Sequence, residues 1–300
     1  HPAAGDGVVT DGERWSREFL PYYLHWDRLK DYYPHTDHNG YPVVRVDPEW
    51  TRTHDTTSAA NERVRNVCLD YLDRCFGDDP ELKRKLTPEF PPMAKRLVKD
   101  TGGFGPGGYY YTLTLPHVDL ETSAVVRIVP GGVVTADGTL IELDVIVFAT
   151  GQKLEWLGQI EVVGRGGVRL ADQWRNTDVR GYFGMVKHFP NFFVQSGPNS
   201  GVAHGGGHNL MMEMVNHLAM ECLQLLVEKG AKSIEVAEEA FDAWQAAIDE
   251  RMAGSIFNTK TAANNHYKNA AGRPIIPNPF RHLEIWEMSR RPDPDAYVIR

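Results

Sequence analysis

The run Asp144-Val-Ile-Val-Phe-Ala-Thr-Gly151 is apolar from Val145 to Ala149 and stops abruptly at a threonine and a glycine. A strand that is covered on both faces has such a continuous apolar pattern, whereas a half-exposed strand alternates. In open α/β sheets, ligands bind beyond the carboxyl ends of the strands. The run therefore predicts an α/β fold with a buried strand whose carboxyl end, at Thr150 and Gly151, lies at a ligand site.

Shorter strand-like runs lie around and before this segment. They are Val118–Glu121, Ala124–Val129, Val133–Thr135 and Ile141–Ala149. The dipeptides Gly131-Gly132 and Asp137-Gly138 lie between these runs, and such dipeptides favour tight turns. We therefore predict several strands that are connected by short turns.

A strand, a turn and a helix are predicted after the run. Asn191–Ser196 has the composition of a buried strand, Gly197–Gly201 that of a turn, and residues 207–228 carry the one-sided apolar stripe of a helix. Such a turn before a helix N-terminus can hold an anionic group, because free backbone N–H groups and the helix dipole point at it. An ordinary glycine-rich connection explains the pattern equally well.

Further helices are predicted towards both ends. Aromatic residues recur at helical spacing from Arg14 to Tyr33, and Ser58 can cap a helix that runs to Phe76. These two helices predict a small helical module. Near the other end, residues 241–252 predict an amphipathic helix, and the chain from Gly254 onward, rich in Pro and Asn, predicts an irregular tail.

Composition excludes several classes of function. The 300 residues are 42% hydrophobic and carry a net charge of −8, without a basic stripe, so nucleic-acid binding is not expected. No apolar stretch approaches the length of a membrane helix, and the first residues do not resemble a signal peptide. The three cysteines form no CxxC pair, which favours a reducing, cytoplasmic setting.

Three local patterns are weak as sites. Gly103–Gly108 matches GxGxxG, but too few residues follow for a crossover helix, and Pro106 lacks a backbone N–H. Lys95 and Arg96 alone are typical of a solvated surface. His204 and His208 are four residues apart without an acidic ligand, so no metal site is predicted.

Seven motifs, taken in order, resemble one known family. They are Phe19–Tyr23 with Trp26, Val46–Trp50, Phe90–Arg96 with Asp100, Asp144–Gly151, Phe189–Phe193, Gly197–Asn199 with His204–Gly206, and Asn269–Arg273 with Ile285–Asp295. They are similar to the middle and second half of Baeyer–Villiger monooxygenases, particularly those similar to 4-hydroxyacetophenone monooxygenase. Together the motifs span nearly the whole chain from about Trp15.

The resemblance implies a partial α/β flavoprotein fold with two dinucleotide-binding domains and a helical insertion. Residues 1–13 would be a tail and residues 14–93 the helical insertion module. Residues 94–150 would be the C-terminal part of the NADP-binding domain, and residues 151–300 the C-terminal part of the FAD-binding domain.

The resemblance also implies roles for individual residues. Arg96 matches the active-site arginine that stabilises the negatively charged peroxyflavin, a role that suits a permanently charged guanidinium. Lys95 matches a lysine near the NADP phosphate. Thr150 and Gly151 would lie on the inter-domain linker beside the flavin. The further cofactor contacts would be Gly197, Asn199, Ser200 and His266.

Two departures from the family concern these contacts. An insertion that includes Gly103–Gly107 follows Asp100, so the loop beside Arg96 is expected to differ in shape. His266 stands where relatives commonly have a tryptophan that touches NADP and the substrate.

The activity implied is that of an FAD- and NADPH-dependent monooxygenase that adds one oxygen atom of O₂ to a small-molecule substrate. The chain has neither dinucleotide fingerprint nor the family's FxGxxxHxxxW signature. We therefore expect a heterodimer, in which a second polypeptide supplies these motifs and without which this chain is inactive. A non-catalytic stabilising or binding subunit and a fragment of one longer chain are the alternatives.

Overall fold

The computed structural model describes residues 41–95, 100, 103–151, 157–202, 207–259, 267–269 and 271–300. These residues form two compact units. The first contains the described residues up to Arg65, from Phe90 to Lys95 and from Leu157 onward. The second contains Asn66–Glu89 and the described residues from Asp100 to Gly151. The tail predicted for residues 1–13 and the helix predicted for residues 14–33 lie outside the described residues.

Three α-helices and then three strands come first along the described residues, and helices alternate with strands after them. The α-helices are α1 (Ala59–Phe76), α2 (Pro80–Leu86), α3 (Tyr109–Thr112), α4 (Leu170–Thr177), α5 (Gly207–Glu228), α6 (Glu238–Ala253) and α7 (His282–Ser289). The strands are β1 (Val125–Val129), β2 (Gly132–Thr135), β3 (Leu140–Glu142), β4 (Gly201–Val202), β5 (Ile234–Val236), β6 (Pro277–Asn278) and β7 (Tyr297–Ile299).

The second unit contains a three-stranded antiparallel sheet in the order β1-β2-β3. The two connecting turns contain Gly131 and Gly138, whose φ angles are +88° and +89°. Glycine is favoured there because a side chain is strained in the left-handed region. The turns predicted at Gly131-Gly132 and Asp137-Gly138 are confirmed.

A small aromatic core supports this unit beside the end of α1. Phe76 is 2% exposed and makes edge contacts with the rings of Phe104 and Tyr110. Asp100 accepts a 2.7 Å hydrogen bond from the Tyr71 hydroxyl and a 3.1 Å bond from the backbone N–H of Tyr109, which closes the loop at Gly103–Gly108. Because α3 has four residues, this loop lacks the crossover helix of a dinucleotide fingerprint.

The first unit is built around α5. The predicted stripe is largely confirmed, since Leu210, Met214 and Leu218 are at most 5% exposed and pack with Phe241 and Ile248 of α6. Residues Asn209–Glu228 are long and apolar enough to cross a membrane by length and composition alone. The buried inner face of α5 is that of a core helix. The predicted bounds of α1 and α5 agree with those observed, whereas α6 begins three residues before the predicted residues 241–252.

Two short strand pairs complete the first unit. β4 pairs in parallel with β6, and β5 pairs antiparallel with β7. The prediction of an irregular tail after Gly254 is therefore wrong in part, because β6, α7 and β7 lie within it.

The run at residues 144–151 is not a buried strand. It has no strand assignment, and Val145, Val147 and Phe148 are 75%, 82% and 72% exposed. A fully buried strand needs ladder partners and a layer on each face, and the described residues supply neither to this segment. The run therefore has the apolar composition of a buried strand, but it is exposed to solvent.

Two further strand predictions are wrong. Residues 118–121 have no strand assignment, and residues 191–196 form no strand beyond a single β-bridge between Phe193 and Met185. Asn191 has a φ of +59°, which interrupts an extended backbone.

Candidate functional site

Lys95 directly follows a tight turn at Pro91–Ala94. The Ala94 N–H donates to the Pro91 carbonyl at 3.1 Å, and Met93 has a φ of +68°. Proline at the second position and a positive φ at the third are characteristic of a type II turn. Glycine usually occupies that third position, so Met93 holds a strained conformation.

The same segment is anchored in an apolar cluster. Ala94 is fully buried with Met252, Ile256 and Phe257, and Tyr267 packs against this group. The Lys95 ammonium is partly exposed and lies 4.4 Å from the centre of the Phe90 ring. The chain thus holds a cation at the edge of a buried cluster, which is a suitable place to meet an anionic ligand.

The turn at Gly197–Ser200 is buried. The Ser200 hydroxyl donates to the Gly197 carbonyl at 2.6 Å, and Asn199 adopts a φ of +52°. A Cβ on Gly197 would lie 3.2 Å from the Val194 carbonyl, and one on Gly201 would lie 2.6 Å from the Ile276 side chain. Packing against Ile276 therefore favours glycine at residue 201, whereas a side chain at residue 197 would need a small shift of the Val194 carbonyl.

Asn199 ties this turn to residues 274–278. Its backbone N–H donates to the Ile275 carbonyl at 2.7 Å, and its side-chain nitrogen donates to the carbonyls of Pro274 at 3.2 Å and Pro277 at 2.9 Å. Asn278 returns a 2.8 Å bond to the Asn199 carbonyl. The Asn199 Oδ1 atom is buried and has no hydrogen-bond partner within the described part of the chain, so it can accept a donor from a ligand.

A loop that starts at Asn269 is fixed by acidic residues that the sequence analysis missed. The Asn269 amide donates to Asp178 at 2.6 Å, and Arg273 donates to Asp249 at 2.8 Å. Burial alone would raise the pKa of Asp249, but hydrogen bonds from Arg273 and Arg180 outweigh it and lower that pKa. Arg273 is the last residue of the motif Asn269–Arg273. Its positive charge was the available signal that an acidic partner was needed.

Lys268 directly precedes this loop. Its ammonium donates to the Thr259 carbonyl at 3.1 Å, and burial lowers the pKa of this ammonium below its ordinary value. Lys268 was also missed, because a lysine in a polar loop ordinarily lies in solvent.

The structure brings some of the predicted residues together. The turn before Lys95 packs with Tyr267, the Tyr267 carbonyl accepts a bond from the Ile275 N–H, and Ile275 in turn binds Asn199. Gly197, Asn199 and Ser200 therefore belong to the same unit as Lys95. Arg96 and His266 lie outside the described residues, and their roles stay predictions.

Thr150 and Gly151 belong to the second unit. Both are exposed, and Gly151 has a φ of +88° with open space where a side chain would be. Their predicted ligand contact also stays a prediction. Across the described ranges, no group of three or more His, Cys, Asp and Glu side chains could hold a metal ion.

An FAD molecule fits these residues in part. In the first unit, the buried Asn199 Oδ1 has no hydrogen-bond partner among the described residues and can accept a hydrogen bond. The loop at Gly103–Gly108 does not open a full helix for the phosphates, because it leads into the four-residue α3.

No family model matches the chain. A Baeyer–Villiger monooxygenase of Streptomyces coelicolor is 32% identical over 224 residues, or 74% of this chain and 41% of that protein. The phenazine N-monooxygenase of Lysobacter antibioticus is 33% identical over 66% of this chain and 36% of that protein. An uncharacterised monooxygenase of Sinorhizobium fredii is 27% identical over 87% of this chain and 39% of that protein. The chain spans about two fifths of the length of these curated relatives.

Solved structures share the fold. An oxidised steroid monooxygenase bound to NADP matches with a TM-score of 0.66 and 28% identity, over 91% of this chain and 51% of that chain. OTEMO in complex with FAD and NADP matches with a TM-score of 0.70 and 18% identity, over 98% of this chain and 58% of that chain. The predicted fold class, a partial α/β flavoprotein fold with two dinucleotide-binding domains, is confirmed.

Proposed function

We propose that this chain, which is similar over most of its length to Baeyer–Villiger and other flavin monooxygenases, forms part of an FAD- and NADPH-dependent monooxygenase. That enzyme would insert one oxygen atom of O₂ into an organic substrate, either converting a ketone into an ester or oxidising a heteroatom. The observation that carries the proposal is the 32% identity to a Baeyer–Villiger monooxygenase over 74% of the chain.

We propose further that a second polypeptide with the FAD and NADP fingerprints completes the enzyme. The exposed run at residues 145–148 supports a second polypeptide. Its valines and Phe148 give it the apolar composition of a strand that is covered on both faces. An exposed apolar segment of this kind is an interaction site or an aggregation hazard. A partner that supplies neighbouring strands would remove both problems.

The residues of this chain would contact the flavin end of FAD and the nicotinamide cofactor. FAD, once reduced by NADPH, supplies the chemistry that activates O₂. Asn199 Oδ1 would accept a hydrogen bond from the cofactor. Thr150 and Gly151 are proposed as cofactor contacts from the resemblance alone. Lys95 would attract the NADPH phosphate as a mobile point charge.

Arg96 would supply a fixed positive charge where negative charge develops during oxygen activation. A guanidinium stays protonated at any physiological pH, so it needs no proton exchange to do this. A preorganised charge in a site from which water is excluded contributes more than the same charge in water. We propose Arg96 as the catalytic residue for this reason.

The domain roles expected from the sequence remain part of the proposal. Residues 14–93 would form the helical insertion, residues 94–150 part of the NADP-binding domain, and residues 151–300 part of the FAD-binding domain. The closer similarity to 4-hydroxyacetophenone monooxygenase and a cytoplasmic location are proposed on the same basis.

Purification of this chain from its native source tests the proposal. A tag on the chain should retain a second polypeptide and a stoichiometric yellow flavin, while the chain expressed alone should be colourless. A flavin-free partner would instead support a non-catalytic stabilising subunit. A single longer polypeptide carrying the same sequence would show that the fingerprints lie on the same chain.

A further inference from the structure

Asn61 is a fully buried polar residue in the first turn of α1. Its backbone N–H donates to the Ser58 hydroxyl at 3.1 Å, which is the expected helix cap. Its side-chain nitrogen donates to two carbonyls from distant segments, Val43 at 3.2 Å and Pro92 at 2.9 Å. Both protons of the side-chain amide are thereby used.

The Pro92 carbonyl belongs to the central peptide of the turn at Pro91–Ala94. Type I and type II turns differ by a flip of this peptide, and the type II form requires a positive φ at the following residue. Met93, with a φ of +68°, occupies that position without the freedom of glycine. The bond from Asn61 therefore holds the peptide in the orientation that the turn would otherwise resist.

The orientation of this peptide decides how the chain leaves the turn. Ala94 is fully buried, so the segment has little room to adjust once the turn is set. Lys95 follows at once, with its ammonium 4.4 Å from the Phe90 ring centre. A flip of the central peptide would displace Lys95 from that ring.

We infer that Asn61 is a positioning residue for Lys95, acting through the Pro92 carbonyl and the strained turn at Met93. Its consequence for turnover rests on the proposed function, because Lys95 is proposed to bind NADPH. The conformational part of the inference stands on the contacts of Asn61 alone. The two parts can be tested separately.

The conformational part is tested by NMR on the full chain with ¹³C-methylated lysines. The Lys95 signal, identified by its loss in Lys95→Arg, should carry a ring-current shift from Phe90. Asn61→Ala should abolish most of that shift, and Asn61→Ala/Met93→Gly should restore it, because glycine adopts the turn without the side-chain bond. Asn66→Ala is the matched control, since Asn66 is an exposed residue of the same helix.

Rescue by Met93→Gly separates positioning from simple support of the fold. Loss of the bond to Val43 would not be repaired by a glycine at residue 93. An unchanged Lys95 signal in Asn61→Ala, or a change that Met93→Gly does not reverse, overturns the inference. If Asn61→Ala does not fold, Asn61→Ser is measured in its place and judged by the same two outcomes.

The consequence for turnover is tested in the flavin-containing complex from the native source. Asn61→Ala should raise the KM for NADPH about tenfold with a smaller change in kcat, and Met93→Gly should reverse most of the rise. A shifted Lys95 signal with an unchanged KM would overturn the NADPH contact of the proposed function and leave the role of Asn61 in the turn intact. An unshifted signal would overturn the role of Asn61 whatever the complex contains.

Discussion

Arg273 holds the Asp249 carboxylate through two guanidinium nitrogens, Nη2 at 2.8 Å and Nε at 3.3 Å. The Arg273 side chain is only 16% exposed, and its Nη1 also donates to the Val179 carbonyl at 3.4 Å. These bonds fix the loop that begins at Asn269 to α6.

We predict that Arg273→Lys lowers the free energy of unfolding by about 1–2 kcal/mol, because an ammonium cannot reproduce the fork of a partly buried guanidinium. Urea unfolding of the full chain measures this change. Arg175→Lys is the matched control, since Arg175 and Asp172 form an exposed pair on α4 with side chains 72% and 53% exposed. Equal losses in the two variants would show that Arg273 contributes no more than a surface charge.

We predict that Asp249 makes part of the stability depend on pH. The pKa of Asp249 is lowered in the folded state by Arg273 and Arg180, so its contribution is complete above the unfolded pKa of about 3.9 and is lost as the pH falls through the lower, folded pKa. Denaturant unfolding between about pH 5 and pH 2 should therefore show a shallower decline for Asp249→Asn than for the wild type. Arg273→Gln should also flatten the profile, because it removes one cause of the shift. Superimposable profiles for all three proteins would contradict this prediction.

We predict that Val147→Asp weakens capture of the second polypeptide by at least tenfold and makes the isolated chain more soluble. Val147 is 82% exposed in an apolar run, and a carboxylate there cannot be buried under a partner without a large desolvation cost. Affinity capture and sedimentation of the isolated chain measure the two effects. Ile160→Asp, at a residue that is 61% exposed elsewhere in the chain, is the control. Undiminished capture by Val147→Asp would place the partner on another surface.

We predict that Arg96→Ala in the flavin-containing complex leaves the flavin bound and reducible by NADPH, while the oxygenated product falls by two orders of magnitude or more. Loss of about 1.4 kcal/mol of charge stabilisation lowers a rate tenfold, and a cation facing a developing anion contributes more than this. Hydrogen peroxide should rise as the product falls, and Arg96→Lys should recover little activity.

Product analysis and peroxide assays on the same preparation provide the measurement for Arg96. Arg84→Ala is the control, because Arg84 is 70% exposed and paired with Glu81 on α2. Near wild-type product formation in Arg96→Ala would remove the catalytic assignment and favour a non-catalytic subunit.

The parts of the fold that local sequence encodes could be predicted. α1 begins after its Ser58 cap, and α5 and α6 follow their apolar stripes, because capping and helical period depend on neighbouring residues. The turns at Gly131 and Gly138 follow from the freedom of glycine.

What depends on distant residues could not be predicted. The run at residues 145–148 carries the pattern of a covered strand, but whether a strand is covered is decided by other segments. The pairing of Asn61 with Pro92 crosses 31 residues and that of Arg273 with Asp249 crosses 24, so no local period reveals either. The motif at Phe90–Arg96 contains the strained turn, but it gave no indication that Asn61 donates a hydrogen bond to this turn.

The turn at Gly197–Ser200 also has a consequence for the order in which the chain folds. The Asn199 side chain donates to the carbonyls of Pro274 and Pro277, and the Asn199 carbonyl accepts a bond from Asn278, across 75 to 79 residues that include all of α5 and α6. Closing so long a loop has an entropic cost, which is offset only once the enclosed helices have packed. We expect α5 and α6 to pack first and the turn at Gly197–Ser200 to form last. Core substitutions in those helices should therefore slow formation of the turn even where the substituted residues do not contact it.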